Sequence, residues 1–274
     1  MIFSKKFTTL IYLGLFLLYI LGEYLISLSN SDRDYKNDIA NIVEKRKESK
    51  KQLENSNYLH LIKENKNIPE SKITEHFDKY YKDNLHYLSF KKSNDVKNIL
   101  ALGIDKKFHL SNFYLEGYAP FETNKLWVPL QTLAQKKTYE LDSLQYTGYK
   151  EIWQTSSQAF KYTRGDCEDH AIALADWLIE MGEDARVVAG FYKKEGHAWV
   201  VLFKDGNEYI LEATSKGNFT NPYPLAKYQT SYRPQIMFNR EYFWFNKGSI
   251  NTTSYSSENW LKKTIYHRIE KNDF

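Results

Sequence analysis

Residues 166–213 constrain the fold more than any other stretch, because an apolar helical pattern is followed there by three strand-like runs. Ala171, Leu174, Ala175, Leu178 and Ile179 recur at the spacing of one helix face, and Gly182 is a natural stop, so a helix is expected over about 166–181. Strand-like runs follow at 186–192, 197–203 and 208–213. The last two are separated by Lys204-Asp205-Gly206-Asn207, and an Asp-Gly pair between such runs is a strong hairpin signal. A helix packed on an antiparallel sheet, an α+β arrangement, is the expected result.

The chain has one cysteine, and it falls at the start of that helix, in Gly165-Asp166-Cys167-Glu168-Asp169. No intramolecular disulfide and no Cys-based zinc knuckle can form. Asp166 is placed to cap the helix, and Cys167 falls on the first turn, where unpaired N–H groups and the helix dipole favour an anion. The flanking carboxylates oppose ionisation, so a reactive thiolate needs a histidine partner. His197 is available. If the hairpin turn is centred on Asp205 and Gly206, Trp199 faces Glu212 and His197 faces Thr214, all on one side of the hairpin. Glu212 is then diagonal to His197, at a Cβ spacing of about 7 to 8 Å that the two side chains bridge. A slip of one residue would send Glu212 to the opposite face.

The N-terminus carries Lys5 and Lys6 before an apolar run at 7–28, broken only by Thr8, Thr9, Glu23 and Ser27. That run is long enough for a bilayer, which takes about 20 residues. The small-residue pattern of a cleavage site is poor around Leu28-Ser29-Asn30-Ser31, which favours an uncleaved signal anchor over a cleaved signal peptide. By the positive-inside rule, residues 1–6 stay as a cytoplasmic tail and everything after Asn30 crosses. The expected location is therefore a single-pass membrane protein, its folded part periplasmic or on the cell surface. Thirty-eight basic and 34 acidic residues are interleaved along the chain, without the basic stripe that phosphate binding needs, so nucleic acid is excluded as a partner.

Between anchor and site the text is polar. Residues 32–67 contain neither Gly nor Pro and show a thin apolar stripe at Ile39, Ile42, Val43 and Leu53, which predicts a helix. Pro69 then suits the first turn of another, with Ile73, Phe77, Tyr80 and Tyr81 as its apolar face, running on towards Leu88. Residues 32–95 are thus expected to be a helical stalk or subdomain. Short helices and loops are expected over 96–154, and residues 246–274 read as a tail with a last helix around 258–270.

Four blocks resemble a known family. Arg164-Gly165-Asp166-Cys167-Glu168-Asp169-His170-Ala171, then Asp184-Ala185-Arg186-Val187-Val188-Ala189-Gly190, then Gly196-His197-Ala198-Trp199-Val200 and Ile210-Leu211-Glu212-Ala213-Thr214 are similar in order and spacing to the transglutaminase-like core, including bacterial transglutaminase-like cysteine proteinases. The resemblance implies a papain-like domain over 96–245 with Cys167 as nucleophile, His197 as base and Glu212 in the place of the family's Asp. Glu is one methylene longer than that Asp. Ile152-Trp153-Gln154-Thr155 also resembles the family's upstream stretch, so Gln154 or Trp153 could donate to an oxyanion beside the Cys167 N–H, although Trp153 equally suits a core. Some relatives bind calcium beside the nucleophile, and Asp166, Glu168 and Asp169 could do so here; no cofactor is otherwise required.

These readings point to an enzyme that attacks an amide of a protein or peptide substrate through an acyl-thioester on Cys167, with water as acceptor for a peptidase or amidase and an amine for a crosslinking transglutaminase. A non-catalytic, membrane-anchored binding or assembly module on the same fold is the alternative. His170 makes a Cys-x-x-His fragment with Cys167 but lacks a second ligand pair, so zinc is disfavoured, and the remaining histidines read as ordinary surface or core residues.

Overall fold

The structure is a computed structural model that describes residues 41, 43–48, 50–82, 84–90, 95–216 and 223–269. The chain divides into two units, 1–54 and 55–274, of which the first contributes helical residues between 41 and 54. The apolar run at 7–28 lies outside the described residues, and no helix among those described is long and apolar enough to cross a membrane.

The second unit is mixed α and β, built on an antiparallel sheet. Its elements are β1 Tyr58–Leu61, β2 Lys66–Pro69, α1 Glu70–Tyr80, β3 His86–Ser89, β4 Val96–Leu102, β5 Phe108–Leu110, α2 Trp127–Lys136, β6 Thr138–Tyr139, α3 Asp142–Gln145, α4 Ser156–Lys161, β7 Arg164–Gly165 and α5 Cys167–Glu180. Then come β8 Asp184–Tyr192, β9 Glu195–Lys204, β10 Asn207–Leu211, β11 Tyr232–Phe238, β12 Tyr242–Asn246 and β13 Trp260–His267. The main sheet runs β10-β9-β8-β11-β12-β13-β1-β2, every neighbouring pair antiparallel. A three-stranded sheet, β3-β4-β5, and the small parallel pair of β6 and β7 complete it.

The helix and hairpin expected from periodicity are present. α5 starts at Cys167 and packs on β8 and β9. Its Ala171, Leu174, Ala175 and Leu178 are fully buried against Val187, Val200, Leu202 and Phe238. Each fully buried leucine contributes about 1.5–3 kcal/mol and each alanine methyl about 0.8 kcal/mol. On the other face of the sheet a second layer of Val188, Trp199, Val201, Met237, Trp244 and Trp260 forms its own core. Between β9 and β10, Asp205 and Gly206 both take positive φ, 50° and 71°, the backbone of a type I′ turn. The register that follows pairs Asn207 with Lys204 and Leu211 with Val200, so Glu212 lies one step past the last paired residue.

Several expectations are corrected. Residues 58–61 and 66–69 are strands rather than a continuation of the polar helix, and β1 lies between β13 and β2, with Leu59 and Leu61 buried. α1 begins after Pro69 and ends at Tyr80; Ile73 and Phe77 are buried as expected, but Tyr80 and Tyr81 face solvent and Leu88 belongs to β3. Within 96–154, β4 is a strand buried at all seven positions. Lys97 and Asn98 disguise it. Lys97 is compensated by Asp95 and Glu64, and Asn98 by hydrogen bonds with Asn112, Ser111 and Thr264. The helix expected around 258–270 is β13, whose Trp260, Thr264 and Tyr266 are buried while it pairs with β12 and β1. Strands on both sides of the boundaries expected at 96 and 245 therefore share one sheet.

Candidate active site

Cys167 is the first residue of α5, His197 lies near the start of β9, and Glu212 follows β10. The tight Asp-Gly turn sets the register that brings the last two together. His197 Nε2 and Glu212 Oε2 are 2.7 Å apart. Glu212 Oε1 accepts from the Thr214 backbone N–H at 3.1 Å and from Thr214 Oγ1 at 2.7 Å, and Tyr232 donates its O–H to Oε2 at 3.1 Å. Burial acts to raise the Glu212 pKa, but the bonds from His197 and Thr214 outweigh it and hold the carboxyl below its usual value.

The thiol is arranged differently. Cys167 Sγ donates to Glu168 Oε2 at 3.5 Å, and among the described residues no hydrogen bond joins it to His197. The backbone N–H of Ala198, the residue after His197, acts on the thiol in the direction that favours its anion. Burial, followed by the Asp166 carboxylate, nevertheless pushes the thiol up to about 12. A helix N-terminus supplies only about 0.3–1 kcal/mol to an anion, which is too little to reverse a rise of that size. The thiol is thus held as a donor to Glu168, and His197 Nδ1 has no hydrogen-bond partner among the described residues.

Beside the thiol, Asp142, Asp166, Glu168 and Asp169 are buried and converge, one oxygen from each lying within 4.8 Å of the others. Asp166 occupies the cap position but makes no side-chain cap bond. Each of the four keeps one buried oxygen with no hydrogen-bond partner. Burial, with Asp166 as the next cause, pushes Asp142 up to about 8 and raises Glu168 and Asp169 well above the carboxylate range. Lys137 stands by this cluster; burial brings it down to about 8 against the pull of Asp169. One lysine does not offset four buried carboxyl groups, so the unpartnered oxygens favour protons or a cation, and four hard oxygens in one place suit calcium. Asp166, Glu168 and Asp169 were expected to meet here; Asp142 was not, since it arrives from α3 with no local pattern to mark it.

The expected oxyanion donors are otherwise engaged. Gln154 Nε2 donates to Tyr146 Oη and to the Arg164 carbonyl, both at 3.1 Å, which uses both of its hydrogens. Trp153 is a core residue, stacked with Phe238 and bonded through Nε1 to Glu151 Oε1 at 2.8 Å. The Cys167 backbone N–H thus stands without either of these side chains as an oxyanion partner. His170 is buried, donates Nδ1–H to the Asp166 carbonyl at 2.6 Å, and is brought down to about 4 by burial. It belongs to no metal-ligand group among the described residues.

Residues 151–267, which include Cys167, His197 and Glu212, match the model of the CEP76 peptidase-like domain. Human protein CC2D2B is 28% identical over 126 residues, which is 44% of this chain and 9% of that protein's own length. Among solved structures, LapG of Legionella pneumophila is similar at 21% identity with a TM-score of 0.36, over 45% of this chain and 71% of that one. Its calcium-bound form gives 20% identity and a TM-score of 0.37, over 50% and 77%.

Proposed function

We propose that the chain is a transglutaminase-like cysteine peptidase or amidase, anchored in a membrane by residues 7–28 with the second unit outside the cytoplasm. The observation that carries the chemical reading is the 2.7 Å hydrogen bond between His197 Nε2 and Glu212 Oε2, made from the hairpin on which the helix that begins at Cys167 packs. Similarity of 151–267 to a peptidase-like domain supports the same class of reaction. In this reading the thiol leaves Glu168 and turns to His197 Nδ1, which takes its proton. The thiolate attacks the amide carbonyl, His197 protonates the leaving amine, and water then releases the acyl group from Cys167. Glu212 holds the imidazole in the tautomer this needs. Substrates are proteins or peptides.

A calcium ion fits the oxygens of Asp142, Asp166, Glu168 and Asp169. It would supply positive charge where four carboxylates now oppose one another. Asp142 and Asp169 also accept the backbone N–H groups of Ile152 and Gln154, which ties the segment before α4 to the cluster beside Cys167.

Treatment of the full-length chain with a peptidyl vinyl sulfone, followed by mass spectrometry, tests the reading. A Cys167 adduct that disappears in His197→Ala is the expected result; an adduct-free Cys167 across pH and calcium concentrations overturns it. The raised, Glu168-bonded thiol favours the second reading, a binding module that keeps the fold without turnover, and an inert thiol is the outcome that reading expects. For the anchor, a C-terminal alkaline phosphatase fusion should be active, and an active cytoplasmic reporter at the same place would reverse the orientation.

A further inference from the structure

Glu212 does more than face His197, because each of its oxygens is held by two donors. Oε1 takes both from Thr214, its neighbour in sequence, whereas Oε2 is shared by His197 and by Tyr232, which comes from a different part of the sheet. Tyr232 opens β11, and β8 runs between β11 and the strand that bears His197. Its phenol must therefore reach past β8 to meet the carboxylate.

Two features allow that reach. On β8 the position paired with His197 is Gly190, which presents no side chain between them; a Cβ there would stand 2.1 Å from the Arg233 carbonyl oxygen. The ring of Tyr232 is confined on the same face by Tyr192 at 4.8 Å, Trp199 at 5.0 Å and His197 at 6.4 Å between centroids. These contacts seat the ring on that face, and its hydroxyl meets Glu212 Oε2 at 3.1 Å. An aspartate, one methylene shorter, would not extend to both His197 and Tyr232 from the same backbone position.

Resting on the reading of Cys167, His197 and Glu212 as one site, we propose that Tyr232 is a positioning residue. Its O–H fixes the Glu212 carboxylate so that His197 keeps Nε2–H on the carboxylate and Nδ1 available to the thiol. The side-chain length of Glu212 and the placement of Tyr232 are matched parts of one device. No bond to substrate is involved; Tyr232 acts through Glu212 alone.

Tyr232→Phe keeps the ring and removes only the donor, and full-length protein can be followed by two independent measurements. With a peptidyl vinyl sulfone, the maximal inactivation rate should fall about tenfold, the loss expected for one hydrogen bond to a charged group, while the concentration for half-maximal rate stays unchanged. The acid limb of the pH profile should move up, since a carboxylate that loses a donor keeps its proton to higher pH. The melting temperature should stay near wild type. Nitrogen-15 NMR of His197 should show a smaller fraction of the Nε2–H tautomer. In Glu212→Asp, which cannot reach the phenol, adding Tyr232→Phe should change neither readout further. Wild-type pH profile and tautomer in Tyr232→Phe, or penalties that multiply in the double variant, would overturn the proposal. If even the wild type ignores the electrophile, the peptidase reading fails, but the tautomer still decides for or against Tyr232.

Discussion

His197 Nε2 and Glu212 Oε2 lie 2.7 Å apart although Glu212 is already one residue beyond the paired part of β10. The last backbone pair, Leu211 with Val200, leaves Glu212 diagonal to His197, and the longer acid spans that diagonal. The carboxylate is saturated there by Thr214 and Tyr232, so its position leaves little room for a shorter side chain.

Glu212→Asp should consequently lose activity, not gain it, although Asp is the residue that the transglutaminase-like resemblance implies. Glu212→Gln should lower turnover by roughly 10²-fold or more, since a neutral amide can no longer hold the imidazole tautomer and its developing charge. Both should melt close to wild type. Kinetics and melting curves measured on the same preparations check this, and wild-type rates for Glu212→Ala would reduce the site to a Cys167 and His197 dyad.

Cys167→Ala and His197→Ala should each remove nearly all activity, and the double variant should be scarcely worse than either. Residues that act as one unit are non-additive in this way. Independent losses that multiply would separate the two side chains.

The acidic cluster predicts a pH dependence of stability. In cation-free protein, Asp142, pushed up to about 8, and Glu168 and Asp169, pushed up further, hold protons that the unfolded chain releases near pH 4. The native state then binds more protons than the unfolded state, so stability falls as pH rises from about 4 through 8. With EGTA present, the melting temperature should drop across that range. Millimolar calcium should raise it, most strongly at the alkaline end, and Asp142→Asn should blunt the calcium response. A melting temperature indifferent to calcium at pH 8 would remove the ion from this site.

Gly190→Ala should destabilise the protein by about 1–3 kcal/mol, the usual range for forcing atoms into a packed region. The added Cβ would meet the Arg233 carbonyl oxygen across the pairing of β8 with β11. Chemical denaturation measures the loss, and stability equal to wild type would show that the two strands can separate at no cost.

The sequence by itself determined α5, the β9–β10 hairpin and its register, because these depend on neighbours a few residues apart. Helical spacing of Ala171, Leu174, Ala175 and Leu178 marks the first, and Asp205-Gly206 tolerates the positive φ that a two-residue turn demands. That was enough to bring Glu212 to His197. Other features were decided only in three dimensions. Residues 58–61, 66–69 and 260–267 carry charge and polarity that suit a helix, yet they are strands because β12, β13, β1 and β2 hydrogen-bond side by side and buried residues along them fill a core. Asp142 and Tyr232 reach the site from α3 and β11, and no spacing in the text relates them to Cys167 or Glu212. Gln154 spends its amide on Tyr146 and Arg164, and the thiol bonds to Glu168 in place of His197. Residue type states which bonds a side chain can make; which of them it does make is settled by competition among partners that only folding brings within reach.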